Sequence, residues 1–466
     1  MGEGKTDWRT ALMAEAAKRA GMYLAAVPER RVAPSPEAVA GLSGFAEPMP
    51  AGPTDPLEVL AQLDEVGSPA TVTTSGGRYF GFVIGGSLPA ALAANVLAAA
   101  WDQNAGLRVM SPVGAALEDI ALRWMIELFG FPSGTAGAFV TGATMANFTC
   151  LAGARYALLA QRGWNVDAEG LFGAPPIQVV VGDEAHSTVF KALSLLGMGR
   201  NRVITVPADG QGRFRADAFP KLYEPSIICI QAGNVNTGAF DPAQEVVEAA
   251  KESASWVHVD GAFGLWAKCA PAREHLMAGY SDADSWATDA HKWLNVPYDC
   301  GLAFIRDAAS AYAATNVQAA YFPAGADRDP MHWTPDSSRR ARGVEVWAAI
   351  KSLGRSGLAE MIERDCHCAA RFAEGLRKAG YAILNDVVLN QVLVSFGDEQ
   401  MTRAVIHGIQ QDGTCWCGGT TWQGQAAMRI SISSWMTTDE DIDRSLKAVV
   451  RVAQAVARKH VKSHIR

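Results

Sequence analysis

The sequence predicts an α/β protein built on a mostly parallel, seven-stranded sheet with helices on both faces. Between about residues 78 and 310, short β-branched runs alternate with amphipathic helical stretches. This alternation is typical of parallel sheets, whose strands are linked by crossover helices. The composition agrees, because 49% of the 466 residues are hydrophobic and 19% are charged, as in ordinary globular proteins.

Seven segments are predicted as strands of this sheet: 138–140, 178–181, 202–206, 226–230, 256–259, 285–288 and 302–305. The helices predicted between them include 146–161, 188–196 and 242–251. In such a sheet, ligand groups gather at the C-terminal ends of the strands. The chain has no P-loop and no G-x-G-x-x-G opening a helix after a strand, which disfavours a nucleotide cofactor.

Two further regions flank this large domain, which spans residues 76–350. Residues 1–75 contain a helix near 8–24, a proline-rich connector and a helix near Leu57. This segment cannot bury much of its own surface, so we expect it to pack on a partner subunit of a homodimer with sites at the interface. Residues 351–466 predict a small α+β domain with helices at 357–379, 401–411 and 438–459 and strands near 381–384, 392–396 and 428–433.

Charge and cysteine content exclude several classes of protein. The net charge of −7 argues against nucleic acid or an anionic membrane as the main partner. Residues 81–101 carry no charge, but Gly85, Gly86 and Pro89 interrupt them, which favours a loop and a buried alanine-rich helix over a membrane span. The eight cysteines are scattered and no secretory signal is visible, which predicts a cytoplasmic protein with reduced thiols and no bound metal.

A small-residue turn follows the first predicted strand. Thr141-Gly142-Ala143-Thr144 opens a long helix, so its backbone N–H groups and the Thr144 hydroxyl could bind an anion at the helix N-terminus. The alternative is a plain helix cap. His186 follows the next strand, where an imidazole could stack on an aromatic cofactor or could cap the helix that starts at Ser187.

Two later motifs add a carboxylate and an amine. Asp260 ends a buried strand and is followed by Ala262, which leaves room for a flat ring; helix capping is the competing interpretation. Lys292 is set among Trp286, Trp293 and other apolar residues, where desolvation favours the nucleophilic amine. An anion cradle, an imidazole, a buried carboxylate and a desolvated lysine together match the phosphate, ring face, ring nitrogen and aldehyde of pyridoxal 5′-phosphate (PLP).

With these residues the chain resembles the group II PLP-dependent amino-acid decarboxylases, the family of the aromatic-amino-acid and glutamate decarboxylases. The resemblance covers most of the chain, and these stretches carry it: Gly77-Arg-Tyr-Phe-Gly-Phe82, Ser111-Pro112, Asp260-Gly-Ala262, Asp289-Ala-His291-Lys292-Trp, Val296-Pro-Tyr-Asp-Cys-Gly301 and Met428-Arg-Ile-Ser431. It implies fold type I of the PLP-dependent transferases.

The resemblance also implies roles for individual residues. Lys292 would hold the cofactor as an aldimine, His186 would stack on its ring and Asp260 would pair with the pyridinium nitrogen. The residues implied around the phosphate are Gly142, Ala143, Thr144, Asp289 and His291. Tyr321 resembles the family's loop tyrosine that protonates the substrate carbon, and Arg429 the arginine that receives a substrate carboxylate. A buried core tyrosine and a scaffold ion pair are the respective alternatives.

The implied reaction is decarboxylation of an L-amino acid to an amine and CO₂. Residues implied to line the substrate pocket, Tyr79, Phe80, Phe82 and Asn104, are aromatic or uncharged, which favours a neutral or aromatic substrate. The loop 232–241 reads Ala-Gly-Asn-Val where the family commonly has Ala-Gly-Thr-Thr, so the outcome of the reaction stays open. The alternatives are an aldehyde synthase, another PLP-dependent carbon–carbon lyase, an aminotransferase and a cofactor-binding protein without catalysis.

Overall fold

The computed structural model describes residues 7–316 and 328–464. Its large sheet has seven strands: β1 (Ala136–Val140), β2 (Val179–Gly182), β3 (Ile204–Val206), β4 (Ile227–Gln231), β5 (Trp256–Asp260), β6 (Ser285–Asp289) and β7 (Gly301–Ile305). All seven predicted strands are confirmed, with ends that differ by at most two residues. The spatial order is β1-β7-β6-β5-β4-β2-β3, and β7 runs antiparallel to its neighbours β1 and β6 while the other pairs are parallel.

Six helices precede or flank the first strand: α1 (Trp8–Ala26), α2 (Pro36–Gly41), α3 (Pro56–Gln62), α4 (Ser68–Ala70), α5 (Pro89–Trp101) and α6 (Pro112–Phe129). The side chains of Asp7, Ser35 and Asp55 cap the first three, and α2 and α3 begin with proline, which needs no intrahelical N–H partner there. These local signals explain why a proline-rich segment forms short helices. No residue of α1 to α4 is buried in the single chain.

Helices cover both faces of the large sheet. They include α7 (Ala143–Ala160), α8 (Val166–Glu169), α9 (Ser187–Leu195), α10 (Ala243–Glu252) and α11 (Ala308–Thr315). Apolar side chains of α7, α9 and α11 pack on one face of the sheet, and those of α6 and α10 pack on the other. Since successive side chains of a strand point to opposite faces, His258 and Asp260 of β5 both point toward α7.

The small domain follows with α12 (Gly343–Lys378), β8 (Ala382–Ile383), β9 (Gln391–Ser395), α13 (Glu399–Asp412), β10 (Gly418–Trp422), β11 (Gln425–Ser431) and α14 (Asp439–His464). Its strands form an antiparallel sheet in the order β10-β11-β9-β8. Strand β10 was not predicted, because Gly418-Gly419 is a poor strand signal. Helix α12 begins earlier than predicted and is broken at Gly354, whose φ is 62°.

Helix α5 differs from the expectation that it is buried. Only Ala91 of this helix is buried, while Val96, Leu97 and Trp101 are 48%, 55% and 41% exposed. One apolar side of α5 is therefore not covered by the described part of the chain. Among the described residues, no helix has the length and apolar character needed to cross a membrane.

Candidate active site

The residues predicted to bind the cofactor lie together where the parallel strands end. Asp260 and Asp289 are the last residues of β5 and β6, which are neighbours in the sheet. Gly142 and His186 follow β1 and β2 and precede α7 and α9. The topology therefore brings residues that are distant in sequence to one edge of the sheet.

Lys292 lies in the turn after β6 and contacts Asp289. Its Nζ is 3.1 Å from Oδ2 of Asp289, and the two side chains are 19% and 3% exposed. The neighbouring side chains of Trp293 and Leu294 are fully buried, as the prediction of apolar surroundings requires. The carboxylate partner was not predicted: it gives the ammonium form of Lys292 a counterion inside the site.

The N-terminus of α7 lies beside this ion pair. Its N-cap residue, Gly142, makes no side-chain capping hydrogen bond. A Cβ at Gly142 would lie 3.2 Å from Cε1 of His291 and 3.5 Å from Oδ1 of Asp289, so these three residues are close neighbours. His291 accepts the N–H of Cys300 at Nδ1 (3.0 Å), which places its own proton on Nε2. Ala143 and Thr144 form the first turn of α7, beside these groups.

His186 has the capping role that its position allowed, and its stacking on a cofactor ring stays a prediction. It is the N-cap of α9, and its Nδ1 accepts the N–H of Thr188 (3.3 Å). Capping uses Nδ1 and leaves Nε2 free to carry a proton. Burial lowers the pKa of His186; the charge of Asp260 opposes this shift, and the charges of Lys292 and Arg429 add to it. These charged groups therefore all influence the pKa of this imidazole.

Asp260 is a buried carboxylate that accepts two hydrogen bonds. Its Oδ2 accepts from Nδ2 of Asn147 (3.1 Å) and its Oδ1 from the N–H of Ala262 (3.2 Å). It is 5% exposed, and within residues 7–316 and 328–464 no lysine or arginine pairs with it. A buried carboxylate without a cation is costly, so this site favours a cationic ligand.

Arg429 on β11 is the second cation at the site. Burial lowers its pKa, and none of the carboxylates in the described part of the chain forms an ion pair with it. Tyr79 is close enough to act on Arg429, and burial raises the pKa of Tyr79 to about 12. Tyr79 stacks on Trp416 with ring centroids 5.1 Å apart, and Phe82 contacts the same indole at 5.5 Å.

Two predicted site residues, Phe80 and Asn104, are not brought to this cluster. Phe80 is fully buried in the small-domain core, edge-on to Phe372 at 5.7 Å. Asn104 uses Oδ1 to accept the N–H groups of Gly106 (3.1 Å) and Arg339 (3.2 Å), so its amide organises a turn. Tyr321 lies outside the described residues.

The sequence also left three residues of this region without a role. Trp416 stands between two cysteines in a segment with no strand signal. Asn147 and His258 lie within predicted motifs, and the alternation of β5 was a usable signal, because it puts His258 on the face of Asp260.

The unusual loop after β4 is held by Asn234. Its Oδ1 accepts the N–H groups of Asn236 (2.9 Å) and Thr237 (3.2 Å), and its Nδ2 donates to the carbonyl of Glu184 (3.4 Å). The asparagine therefore connects this loop to the segment that carries His186.

The chemistry of these groups fits PLP. The uncapped N-terminus of an 18-residue helix offers N–H donors to a phosphate, and the unpaired Asp260 suits a protonated ring nitrogen. Oδ1 of Asp289 is buried without a hydrogen bond and lies 3.6 Å from Nε2 of His291, so the site also has a buried acceptor near the amine. The fold and these groups define a fold type I PLP-dependent enzyme.

Comparison with known proteins gives the family. Residues 46–397 match the pyridoxal-dependent decarboxylase conserved domain, and the chain belongs to this family of PLP-dependent carboxy-lyases. It is 24% identical over 368 residues to a 4-hydroxyphenylacetaldehyde synthase of Rhodiola rosea, covering 74% of each chain. It is 28% identical over 369 residues to an aromatic-L-amino-acid decarboxylase of Drosophila lebanonensis, covering 74% of this chain and 90% of the relative.

A solved structure confirms the predicted fold. The crystal structure of Oryza sativa TDC with PLP and tryptamine superposes with a TM-score of 0.88 at 19% identity, covering 98% of this chain and 99% of that chain. The predicted family, fold type and cofactor are therefore confirmed.

Proposed function

We propose that this protein decarboxylates a neutral or aromatic L-amino acid to the corresponding amine and CO₂, with PLP held between α7, β5 and β6. The observation that carries the proposal is the placement of Lys292 and Asp260. A lysine amine and an unpaired, buried carboxylate lie at the ends of two adjacent parallel strands.

The residues around the cofactor have separate tasks. When bound, PLP supplies an aldehyde that reacts with amines and a ring that accepts electrons. Lys292 would hold the cofactor through its aldehyde. Asp260 would keep a proton at the ring nitrogen, and the N-terminus of α7 with His291 would bind the phosphate.

Arg429 binds the substrate carboxylate in this proposal. Its planar guanidinium suits a carboxylate, and its freedom from ion pairs within the described residues leaves it available. The aromatic surface formed by Tyr79, Trp416 and Phe82 lies next to it and supports a preference for an apolar or aromatic side chain.

Two groups could return a proton to the substrate carbon. His186 carries a proton on Nε2 when neutral, because its Nδ1 accepts the N–H of Thr188. Tyr321 is the second candidate, from its resemblance to the family's loop tyrosine. A Tyr321→Phe variant that keeps decarboxylating but changes its products would assign the proton to the tyrosine.

An aldehyde-forming reaction is the second candidate, because one relative is named an aldehyde synthase. In that reaction the amino acid, O₂ and water give the aldehyde, CO₂, ammonia and hydrogen peroxide. The amino acid is oxidised and O₂ is reduced to peroxide. Tyr321 favours decarboxylation, since a proton delivered to the substrate carbon leads to the amine.

We also infer a homodimer. Exposed apolar residues on α5 and the unburied helices α1 to α4 support a partner subunit that covers them. The mass of the purified protein in solution tests this inference, and a monomer at micromolar concentration would contradict it.

The test of function is a panel of L-amino acids assayed for CO₂, amine, aldehyde and peroxide together. We expect amine and CO₂ in equal amounts from at least one neutral or aromatic amino acid, and none from a Lys292→Ala variant. Aldehyde with equimolar peroxide would instead support the second candidate. Absence of CO₂ from the whole panel would overturn both.

A further inference from the structure

Asn147 on α7 is a fully buried amide that contacts three functional neighbours. Its Nδ2 donates to Oδ2 of Asp260 (3.1 Å) and to the hydroxyl of Thr188 (3.3 Å), and its Oδ1 lies 2.9 Å from Nε2 of His258. The opposite orientation of the amide would place its oxygen against the Asp260 carboxylate. The donors and acceptors of Asn147 are therefore fixed by its surroundings.

The contacts of His258 continue this arrangement. His258 is fully buried, and burial lowers its pKa to about 4, so its ring is neutral near pH 7. Because Oδ1 of Asn147 can only accept, the proton of His258 is on Nε2, and Nδ1 accepts the hydroxyl proton of Ser285 (2.9 Å). Ser285 in turn accepts the indole N–H of Trp256 (2.9 Å).

These bonds form a relay with one direction of donation. It runs from Trp256 through Ser285, His258 and Asn147, and it ends on the Asp260 carboxylate. Every member is buried. Hydrogen bonds that donate in one direction polarise one another, so the relay strengthens the donor that Asp260 receives.

The second N–H of Asn147 reaches His186. The Thr188 hydroxyl accepts this N–H and lies 2.8 Å from Nδ1 of His186, to which it donates. Together with the backbone N–H of Thr188, this keeps Nδ1 of His186 an acceptor and directs the proton to Nε2. One amide therefore orients both the carboxylate and the imidazole of the site.

We propose that Asn147 is a positioning residue: backed by His258, it fixes the Asp260 carboxylate toward the cofactor nitrogen and the His186 ring in one tautomer. This inference rests on the proposed function, because it assigns Asp260 and His186 their roles toward PLP. The competing explanation is a polar cluster that serves only folding. A purely structural cluster would affect stability but not the protonation of the cofactor ring.

The first experiment follows proton positions in Asn147→Leu, with Thr149→Val as the matched control. Thr149 is on the same helix and buried, and its hydroxyl donates to the carbonyl of Met145 (2.8 Å). In cofactor-free protein, ¹⁵N spectra of the histidine rings should show His258 protonated on Nε2 in the native chain. In Asn147→Leu the acceptor is gone, so the proton should move to Nδ1, facing Ser285.

The second readout uses PLP labelled with ¹⁵N in its ring. In the native protein and in Thr149→Val this nitrogen should be protonated. In Asn147→Leu it should be only partly protonated. We expect kcat of Asn147→Leu to fall about 10- to 100-fold, by analogy with the loss seen when residues that orient metal ligands are replaced. KM should change by less than about twofold, because Arg429 is untouched.

The inference is overturned if Asn147→Leu matches Thr149→Val in the ring nitrogen signal and in kcat. If Asn147→Leu does not fold, His258→Gln and His258→Leu replace it. The glutamine amide can still donate to Asn147 and should keep the native ring signal, whereas leucine should lose it; equal native signals would also overturn the inference. If the native protein takes up no PLP, the proposed function fails, and the His258 signals in cofactor-free protein still test the relay.

Discussion

Oδ2 of Asp289 lies 3.1 Å from Nζ of Lys292, three residues further along the chain. The carboxylate is the last residue of β6, and the lysine follows in the turn. The pair is largely withdrawn from solvent, so in cofactor-free protein each of the two charges is stabilised mainly by the other.

The first prediction concerns this pair in cofactor-free protein. Lys292→Met leaves the Asp289 carboxylate buried without a cation and should destabilise the fold, while Asp289→Asn in the same chain should recover much of the loss. We expect a coupling free energy of about 1–3 kcal/mol from the double-mutant cycle, measured by chemical denaturation.

The exposed pair Arg355–Glu127, whose side chains are 63% and 70% exposed, is the matched control. Its coupling should stay at or below about 1 kcal/mol. Equal coupling free energies in the two cycles would show that the Asp289–Lys292 pair stabilises the fold no more than an exposed ion pair does.

The second prediction concerns Arg429. Arg429→Lys keeps a positive charge but loses the planar fork, so KM for the amino acid should rise about tenfold or more while kcat changes less. The product amine has no carboxylate, so its binding should be unchanged in the variant. Arg403→Lys, at an exposed position of α13, is the control. An equal loss of affinity for amine and amino acid would show that Arg429 does not bind the substrate carboxylate.

The sequence predicted the large domain well because its signals are local. Each strand of the sheet is a short apolar run, and Asp260 and Lys292 follow such runs directly. What was missed depends on contacts across the fold. Trp416 reaches Tyr79 only through the pairing of two distant segments, and Phe80 faces the small-domain core instead of the site.

Asn147 shows the same limit within a predicted motif. Its position on α7 was clear, but its partners come from β5 and α9, more than 40 residues away. Single-sequence patterns carry no record of such tertiary hydrogen bonds. The exposed side of α5 was missed for a related reason. An apolar sequence predicts that a helix is buried, but it does not tell whether the same chain or another chain covers it.

The third prediction concerns that exposed side of α5. Leu97→Asp places a charge on an apolar surface that we assign to the dimer interface, so the protein should become monomeric. Leu195→Asp on α9 is the control, because Leu195 is 59% exposed and Leu97 is 55% exposed. Sedimentation of both variants measures the outcome. A dimer in both cases would place the interface elsewhere.

The fourth prediction concerns acid stability and His258. Its pKa is about 4 in the folded chain, because burial disfavours the charged ring, and 6.5 is its ordinary value. Between pH 6.5 and 4 the unfolded chain therefore binds a proton that the folded chain does not, so stability is full above about pH 6.5 and is lost as the pH falls toward 4. The loss assigned to His258 is about 3 kcal/mol.

His258→Gln removes this titration and keeps a donor toward Asn147. The difference in free energy of unfolding between the native protein and the variant should shift by about 3 kcal/mol, in favour of the variant, as the pH falls from 6.5 to 4. Parallel stability curves would show that His258 is not held neutral by the fold.

The central claim is that Lys292 binds PLP, and borohydride reduction followed by peptide mapping tests it most directly. The protein, loaded with PLP and reduced, should carry one pyridoxyl group per chain on the peptide that contains Lys292. The Lys292→Ala variant should carry none at that peptide. A label on another lysine, or no label after loading, would contradict the account.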